Sequence, residues 1–205
     1  MYKKVLFAIL VAFVLWTLMF SPWTSPCLNF WWAMAASALV LTSLVAFFAR
    51  DTFLLIKFDL KNILLGVGIA AALWGVFWLG DFLSSLILPF ARDQVNSIYA
   101  MKEGQSPWML SALLLLLIGP AEEIFWRGFV QRKLSERWSA TKGFVVTTLI
   151  YALVHLASLN FMLIMSALVC GLIWGGLYRL IPHRFAAIVL SHALWDAAVF
   201  IWWPI

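Results

Sequence analysis

The feature that most constrains this sequence is a series of seven apolar stretches, each long enough to cross a lipid bilayer. About 20 helical residues, rising about 1.5 Å each, span the hydrocarbon core. Hydrophobic residues make up 65% of the chain and charged residues only 11%, against about 45–50% and about 25% in soluble proteins. The sequence therefore predicts an all-α, polytopic transmembrane helix bundle and excludes a soluble enzyme, a disordered tail and a disulfide-stapled secreted module. The stretches cover roughly residues 5–21, 29–49, 62–80, 108–131, 143–159, 161–180 and 185–203.

The number of spans depends on how the third stretch ends. Asp81 interrupts it, yet residues 82–90 are again apolar. The segment is either one long tilted helix or a span followed by a re-entrant or interfacial segment, with eight spans if the second part crosses separately. Residues 50–61 mix apolar side chains with five charges and predict an interfacial loop or a short amphipathic helix.

The distribution of Lys and Arg predicts how the chain is oriented. With the N-terminus inside, eleven of the 14 basic residues lie in inner segments, whereas Arg92 and Lys102 lie outside and Arg127 lies within a span. Cytoplasmic loops carry an excess of basic residues. We therefore expect an N-in, C-out chain with one large outer loop at about residues 81–107. This bias accounts for the net charge of +5 without a nucleic-acid partner, and residues 1–205 are expected to form a single membrane domain.

Ionisable side chains inside the predicted spans are confined to the last four helices. The charged ones are Glu122, Glu123, Arg127 and Asp196, and two histidines accompany them, His155 and His192. A charge at the centre of a spanning helix costs about 2.5–3.5 kcal/mol even on insertion scales. Such residues therefore mark a candidate functional site.

The spacing of these residues indicates which side chains share a helix face. Residues four apart lie on one face, as do Glu123 and Arg127, His192 and Asp196, and Tyr151 and His155. Measured from the inner helix ends, the carboxylate of Glu122 and the two imidazoles lie at similar depths of about 12–18 Å. Pro120 should loosen the helix just before the acidic pair. This convergence is what general acid–base catalysis requires.

Each of these residues also has a purely structural interpretation. Glu123 and Arg127 are either a structural ion pair or in direct contact with the reaction. Glu122 is either a catalytic acid–base group or a buried protonated acid, and His155 either belongs to the site or is a satisfied core histidine. Asp196 either orients His192 or contacts the substrate. Tyr151 is interpreted as a packing residue with a hydrogen-bonding tip. Likewise, the spacing of Gly171 and Gly175 indicates close helix packing, or alternatively the wall of a substrate groove.

Three motifs in these helices together resemble those of a known family. Glu122-Glu123-Ile124-Phe125-Trp126-Arg127 matches the EExxxR motif of the CPBP intramembrane proteases, also called the CAAX protease and bacteriocin-processing, or Abi, family. Tyr151-x-x-x-His155 resembles its FxxxH motif, with Tyr for Phe, and His192-x-x-x-Asp196 resembles its HxxxN/D motif. The motifs stand in the family's order on separate helices. The resemblance covers residues 108–203, which it implies are the catalytic helical core.

The resemblance implies hydrolysis of a peptide bond within the membrane. Glu122 would act with His155 to activate a water, His192 and Asp196 would stabilise the oxyanion, and Glu123 with Arg127 would hold the site together. An ionised Asp196 cannot donate a hydrogen bond. It is therefore either protonated, or it orients His192 and leaves donation to the imidazole.

The resemblance also bears on cofactors, substrate and location. We expect a metal-free, glutamate-type mechanism with no cofactor. Zinc held by Glu122, His155 and His192 is the alternative. The expected substrate is a membrane-tethered peptide or protein cut near its C-terminus, and the expected location is the bilayer of a bacterial inner (cytoplasmic) membrane. The competing functions are a non-enzymatic bacteriocin-immunity or scaffold protein of the same fold and, ranked last, a proton-coupled transporter.

Overall fold

The computed structural model describes residues 2–205, and seven of its eight principal helices are long and apolar enough to cross a membrane. No strand occurs in this described part of the chain. The predicted all-α membrane bundle is therefore confirmed. The seven long helices are α1 (Tyr2–Phe20), α2 (Phe30–Phe48), α3 (Leu60–Ile87), α5 (Pro107–Arg137), α6 (Ala140–Ser158), α7 (Phe161–Leu180) and α8 (Pro182–Trp202), and the short one is α4 (Ala91–Ala100).

Polar side chains define where most of the long helices begin. At each of these positions a side-chain oxygen accepts the backbone N–H of the residue three places along, which satisfies one of the unpaired donors of the first turn. The caps of α2, α3, α5, α6 and α7 are Asn29, Asp59, Ser106, Ser139 and Asn160.

The third span is one continuous helix that passes through Asp81. α3 runs for 28 residues, or about 42 Å at 1.5 Å per residue, which exceeds a hydrocarbon core of about 30 Å. α4 follows as a separate short helix, so residues 82–90 add no eighth span. Arg50–Leu55 forms a 3-10 helix, as the prediction of a short connecting element at 50–61 allows.

The connections between spans fall at two ends of the bundle. We call one the basic end, which comprises residues 49–59, 138–139 and 181, the start of α1 and the adjoining one or two turns of each helix. The other is the distal end, which comprises residues 21–29, 88–106, 159–160 and 203–205 and the adjoining one or two turns of each helix. At the basic end, Arg132 lies 2.7 Å from Asp51. At the distal end, the ammonium of Lys102 donates to the carbonyl of Phe200 at 2.6 Å.

Helix α8 lies at the centre of the bundle and is buried over most of its length. α3 packs chiefly on α8, whereas α7 packs chiefly on α6. A Cβ on Gly171 would lie 3.1 Å from Thr148 Cγ2, and one on Gly175 would lie 3.1 Å from the ring of Phe144. The two glycines therefore allow the close packing of α7 on α6 that their spacing indicates.

Candidate active site

The acidic pair lies in a short α-helical stretch of α5 that is bounded on both sides by wider π-helical turns. The stretch is Gly119–Glu123, and the π turns are Leu114–Ile118 and Ile124–Gln131. Pro120 contributes to this irregularity because its ring leaves no N–H to donate to the preceding turn. Short π segments are frequent at functional sites. The widened helix agrees with the prediction that Pro120 loosens this region.

A close approach of α5 and α8 brings the acidic pair beside the last span. A Cβ on Gly119 would lie 2.7 Å from Ala193 Cα and 2.9 Å from Ala193 N. Any larger residue would force the two backbones apart. His192 directly precedes Ala193, and Glu123 lies one helical turn from Gly119. The glycine therefore sets the distance between these two ionisable side chains.

Glu123 is the centre of a buried network of charged groups. Its Oε1 accepts a hydrogen bond from Arg127 at 2.8 Å and lies 2.7 Å from His192 Nδ1. Glu123 and Arg127 are 0% and 1% exposed, and Arg127 also donates to the carbonyl of Cys170 at 3.3 Å. A buried carboxylate needs compensating partners of this kind. The spacing of Glu123 and Arg127 predicted their pairing, but not the bond from Glu123 to His192.

Aromatic rings pack against the faces of both side chains that contact Glu123. The indole of Trp174 stacks on the imidazole of His192, with ring centres 3.8 Å apart and planes 16° from parallel. The guanidinium of Arg127 lies 4.8 Å from the ring centre of Tyr151. The stack and the cation–π contact are both attractive, and they fix the plane of each group.

Glu122 points away from this network and makes a contact of its own. Tyr151 donates its hydroxyl to Glu122 Oε2 at 2.8 Å, and both groups are buried. The ring at position 151 packs as the sequence predicts, while its tip orients the carboxylate. Adjacent glutamates of the motif therefore have separate surroundings, Glu122 beside Tyr151 and Glu123 beside Arg127 and His192.

His155 has both ring nitrogens engaged. Its Nε2 accepts a hydrogen bond from the indole N–H of Trp16 at 3.1 Å, and its Nδ1 lies 2.8 Å from the carbonyl of Tyr151. Because an indole nitrogen can only donate, Nε2 is the acceptor, and Nδ1 carries the proton that is donated to the carbonyl. In this arrangement the imidazole is a neutral group with no free nitrogen.

His192 is oriented through Glu123 and faces Asp196 with its other nitrogen. Its Nε2 lies 3.6 Å from Asp196 Oδ2, which is too long for a hydrogen bond. The bond at Nδ1 therefore fixes the imidazole plane, and Asp196 makes a longer electrostatic contact. One alternative from the sequence was that Asp196 orients His192. In the structure, Glu123 orients it.

An apolar cavity of about 460 Å³ joins the candidate residues. Glu122, His155, His192 and Asp196 all line it, and Tyr151 lines it beside Glu122. Glu123 and Arg127 lie behind this wall, where they contact the lining residues instead of the open space. The structure thus brings the six candidate residues together in two layers.

The side chains considered as zinc ligands do not form a ligand set in this arrangement. His155 Nε2 accepts from Trp16, and His192 Nδ1 is directed at Glu123. Within residues 2–205, no group of three or more His, Cys, Asp and Glu side chains is close enough to hold a metal ion. Zinc binding by Glu122, His155 and His192 would require these side chains to rearrange.

The sequence does not identify the tryptophans that position the two histidines. Tryptophan is frequent at membrane interfaces, so an interfacial position is the expectation for each of the 13 tryptophans. This is wrong for Trp16 and Trp174, which are fully buried within the bundle. Trp16 stands about one helical turn from the end of α1 and Trp174 under two turns from the end of α7, so their positions in the sequence do not distinguish them from interfacial anchors.

The comparison with family models gives a match for residues 104–198, a little under half of the chain, to the type II CAAX prenyl endopeptidase Rce1-like family. The segment contains all three motifs and every buried charged side chain among residues 2–205. No curated protein and no solved structure gives a significant match. The family is one of proteases, and the seven long apolar helices fit a multi-pass membrane protein. The match confirms that this chain resembles the CPBP, or CAAX protease, family of intramembrane enzymes.

Proposed function

We propose that the protein is a glutamate-type intramembrane endopeptidase that hydrolyses a peptide bond in a membrane-tethered peptide or protein. The observation that carries the proposal is the single apolar cavity onto which Glu122, His155, His192 and Asp196 all open. Preorganised polar groups in a water-poor site act more strongly than the same groups in water. The family match over residues 104–198 supports protease activity independently of this geometry.

In the proposed reaction Glu122 is the general base. It takes a proton from a water molecule, the water oxygen attacks the carbonyl carbon, and the carbonyl oxygen becomes an oxyanion. When the tetrahedral intermediate collapses, the C–N bond breaks and Glu122 returns the proton to the leaving amine. The hydrogen bond from Tyr151 at 2.8 Å holds one carboxylate oxygen of Glu122 and leaves the other for the water.

His192 is the proposed donor to the oxyanion. Glu123 accepts from Nδ1 at 2.7 Å, and it stabilises an imidazolium whose Nε2–H is free to donate. Asp196, 3.6 Å from Nε2, strengthens the same positive charge and needs no proton of its own for this role. Glu123 and Arg127 act as positioning residues, since neither lines the cavity.

His155 is proposed to hold the attacking water together with Glu122. Its Nε2 becomes available for that role only after the indole N–H of Trp16 leaves it, because the two are joined at 3.1 Å. Nδ1 keeps its bond to the carbonyl of Tyr151, so the ring stays in place while Nε2 is released.

Cleavage of a membrane-tethered model substrate by purified protein tests the proposal. We expect Glu122→Gln and His155→Ala to abolish cleavage, while Glu136→Gln, at an exposed glutamate of the basic end, cuts normally. Unchanged cleavage in both site variants would refute the proposal. A folded Glu122→Gln protein that keeps its biological phenotype would instead favour an immunity or scaffold role.

Chelation separates the glutamate mechanism from the zinc alternative. We expect cleavage to continue after metal removal and still to require Glu122. Complete loss on chelation, with recovery on addition of zinc, would favour zinc bound by Glu122, His155 and His192 after rearrangement of the bonds to Trp16 and Glu123.

We further propose, on the family resemblance and the charge distribution, that the enzyme resides in a bacterial inner membrane and cuts near the C-terminus of its substrate.

A further inference from the structure

The cavity extends from the catalytic side chains toward only one end of the bundle. Its lining includes Phe20 at the end of α1, Phe30 at the start of α2, Tyr99 of α4 and Ile205 at the C-terminus, all of which belong to the distal end. On α5 the lining residues are Leu114, Ile118 and Glu122, which lie between the start of that helix and its midpoint. The catalytic side chains therefore line the inner end, or floor, of a cavity that occupies the distal half of the helix bundle.

Helix α4 covers the distal end of this space. Arg92 pairs with Asp81 of α3 at 2.6 Å, and the amide of Asn160, the residue that caps α7, donates to the carbonyl of Gln94 at 2.9 Å. Val95, Ile98 and Tyr99 of α4 line the cavity below. α4 is thus fastened to both α3 and α7 and closes the gap between them at the membrane surface.

Below α4, the cavity reaches the outer surface of the bundle between α3 and α7. These helices pack chiefly on different partners, α3 on α8 and α7 on α6. Val76 of α3 lines the cavity although it is 45% exposed, and Gly80 of the same helix is exposed as well. Both helices are apolar and long enough to cross a membrane, so an opening between them would face the lipid.

The two ends of the bundle differ sharply in charge. Eleven Lys and Arg residues stand at the basic end, against three acidic ones. The distal end has only two basic residues, Arg92 and Lys102, with Asp81, Asp93 and Glu103. The positive-inside rule predicts that the basic end is cytoplasmic, so the end toward which the cavity extends is extracytoplasmic.

We infer that the site takes its substrate from the extracytoplasmic leaflet. The substrate class is an exported, membrane-tethered protein or peptide whose apolar segment enters between α3 and α7 beneath α4. This inference rests on the proposed endopeptidase function for the reaction itself, but the direction of access rests only on the lining residues and the charges. The cavity floor at Glu122 then lies within reach of a chain that has already crossed the membrane.

The native cysteines allow the orientation to be measured without any activity assay. Cys27 is exposed in the distal connection between α1 and α2, whereas Cys170 is buried. We expect a membrane-impermeant maleimide to label Cys27 in intact cells to the same extent as after lysis. In a Cys27→Ser background, Glu103→Cys at the distal end should behave like Cys27, while Ala140→Cys at the basic end should be labelled only after lysis. The reverse pattern would overturn the inference.

The path of access has its own matched pair of variants. Gly75 and Gly80 both lie on α3, and a Cβ at either would meet no atom within 4 Å, but only Gly80 lines the cavity. We expect Gly80→Trp to raise KM for a tethered substrate with little change in kcat, and Gly75→Trp to leave both unchanged. Equal kinetics in the two variants would overturn access between α3 and α7.

A final comparison uses one reporter with the cleavable segment on either side of its single span. We expect cleavage only when the segment is extracytoplasmic, and cleavage only of the cytoplasmic form would overturn the inference. If neither form is cut, the proposed function fails, while cysteine labelling still decides the orientation. The two failures are therefore distinguishable.

Discussion

The segment matched to the protease family and the N-terminal helices contribute different things to the same site. Residues 104–198 contain all the buried charged side chains of the described chain, and among residues 2–103 every charged side chain is at least partly exposed. The N-terminal helices instead supply the indole of Trp16 on His155 and the walls from Phe20, Phe30 and Phe77. The difference teaches that the reacting groups come from the matched segment alone, while both parts of the chain share in enclosing them. Only the first part carries a recognisable motif.

The largest effect is expected where the matched segment concentrates its charge. Glu123→Gln leaves Arg127 buried without its carboxylate partner, and breaking a buried ion pair costs about 3–5 kcal/mol. We expect the variant to unfold at a markedly lower denaturant concentration in detergent micelles. We also expect it to lose cleavage activity, because His192 loses its orientation. The double variant Glu123→Gln/Arg127→Met, which removes both charges, should recover part of the stability. A single variant as stable as the parent would contradict the central role of Glu123.

Glycine substitutions compare the two regions directly. Gly119→Ala places a methyl group 2.7 Å from Ala193 Cα, whereas a Cβ on Gly68 of α3 would meet no atom within 4 Å. Overpacking costs about 1–3 kcal/mol. We expect Gly119→Ala to lose stability and activity together and Gly68→Ala to change neither, as measured by unfolding and cleavage. Equal behaviour would mean that the contact between α5 and α8 does not set the site geometry.

The contribution of the N-terminal helices is tested most directly at Trp16. Trp16→Phe removes the N–H that occupies His155 Nε2, and a hydrogen bond of this kind is worth about 0.5–1.5 kcal/mol, or up to about tenfold in rate. Because Nε2 must be released before it can hold a water, we expect kcat to rise within that range. Trp126→Phe is the matched control, since Trp126 is also buried and its indole nitrogen has no hydrogen-bond partner within residues 2–205. A fall in kcat specific to Trp16→Phe would mean that the indole positions His155 productively.

The smallest effect is expected at the surface contact that joins the two regions. The hydrogen bond from Arg132 lowers the pKa of Asp51 below its ordinary value. Because of the lowered pKa, ionised Asp51 stabilises the fold at pH values above the ordinary pKa of about 3.9. This stabilisation is lost as the pH falls through the lowered pKa. Asp51 is largely exposed, so the gain is at most about 1 kcal/mol. Asp51→Asn should lower the stability slightly at pH 7 and not in strong acid, as measured by unfolding at the two pH values.

Much of the architecture follows from hydropathy and spacing, while the partners of individual side chains do not. The seven spans are revealed by hydropathy averaged over a window of the sequence, and the pairing of Glu123 with Arg127 is revealed by their spacing on a helix. Both are local properties of the sequence. The bond between Glu123 and His192 depends on how α5 sits against α8, and Gly119 determines that contact only once both helices are in place. Trp16 was hidden for a related reason: it is 139 positions from His155, and an apolar span gives no indication of which ring faces inward.

The π turn before the acidic pair makes the site sensitive to chain length as well as to side-chain identity. Leu114–Ile118 lies within a run of five leucines, 113–117, so removal of any one of them yields the same shortened sequence. Each helical residue corresponds to a rotation of about 100° and a rise of about 1.5 Å. Losing one leucine would leave Ile118 in place before Glu122 and put another leucine at the position of Leu114, but it would turn the preceding segment with Leu110 and Ser111 by about 100°. A deletion that barely changes the hydropathy profile would in this way expose the buried Leu110 and break the hydrogen bond from the indole of Trp202 to Ser111, while every motif residue remained.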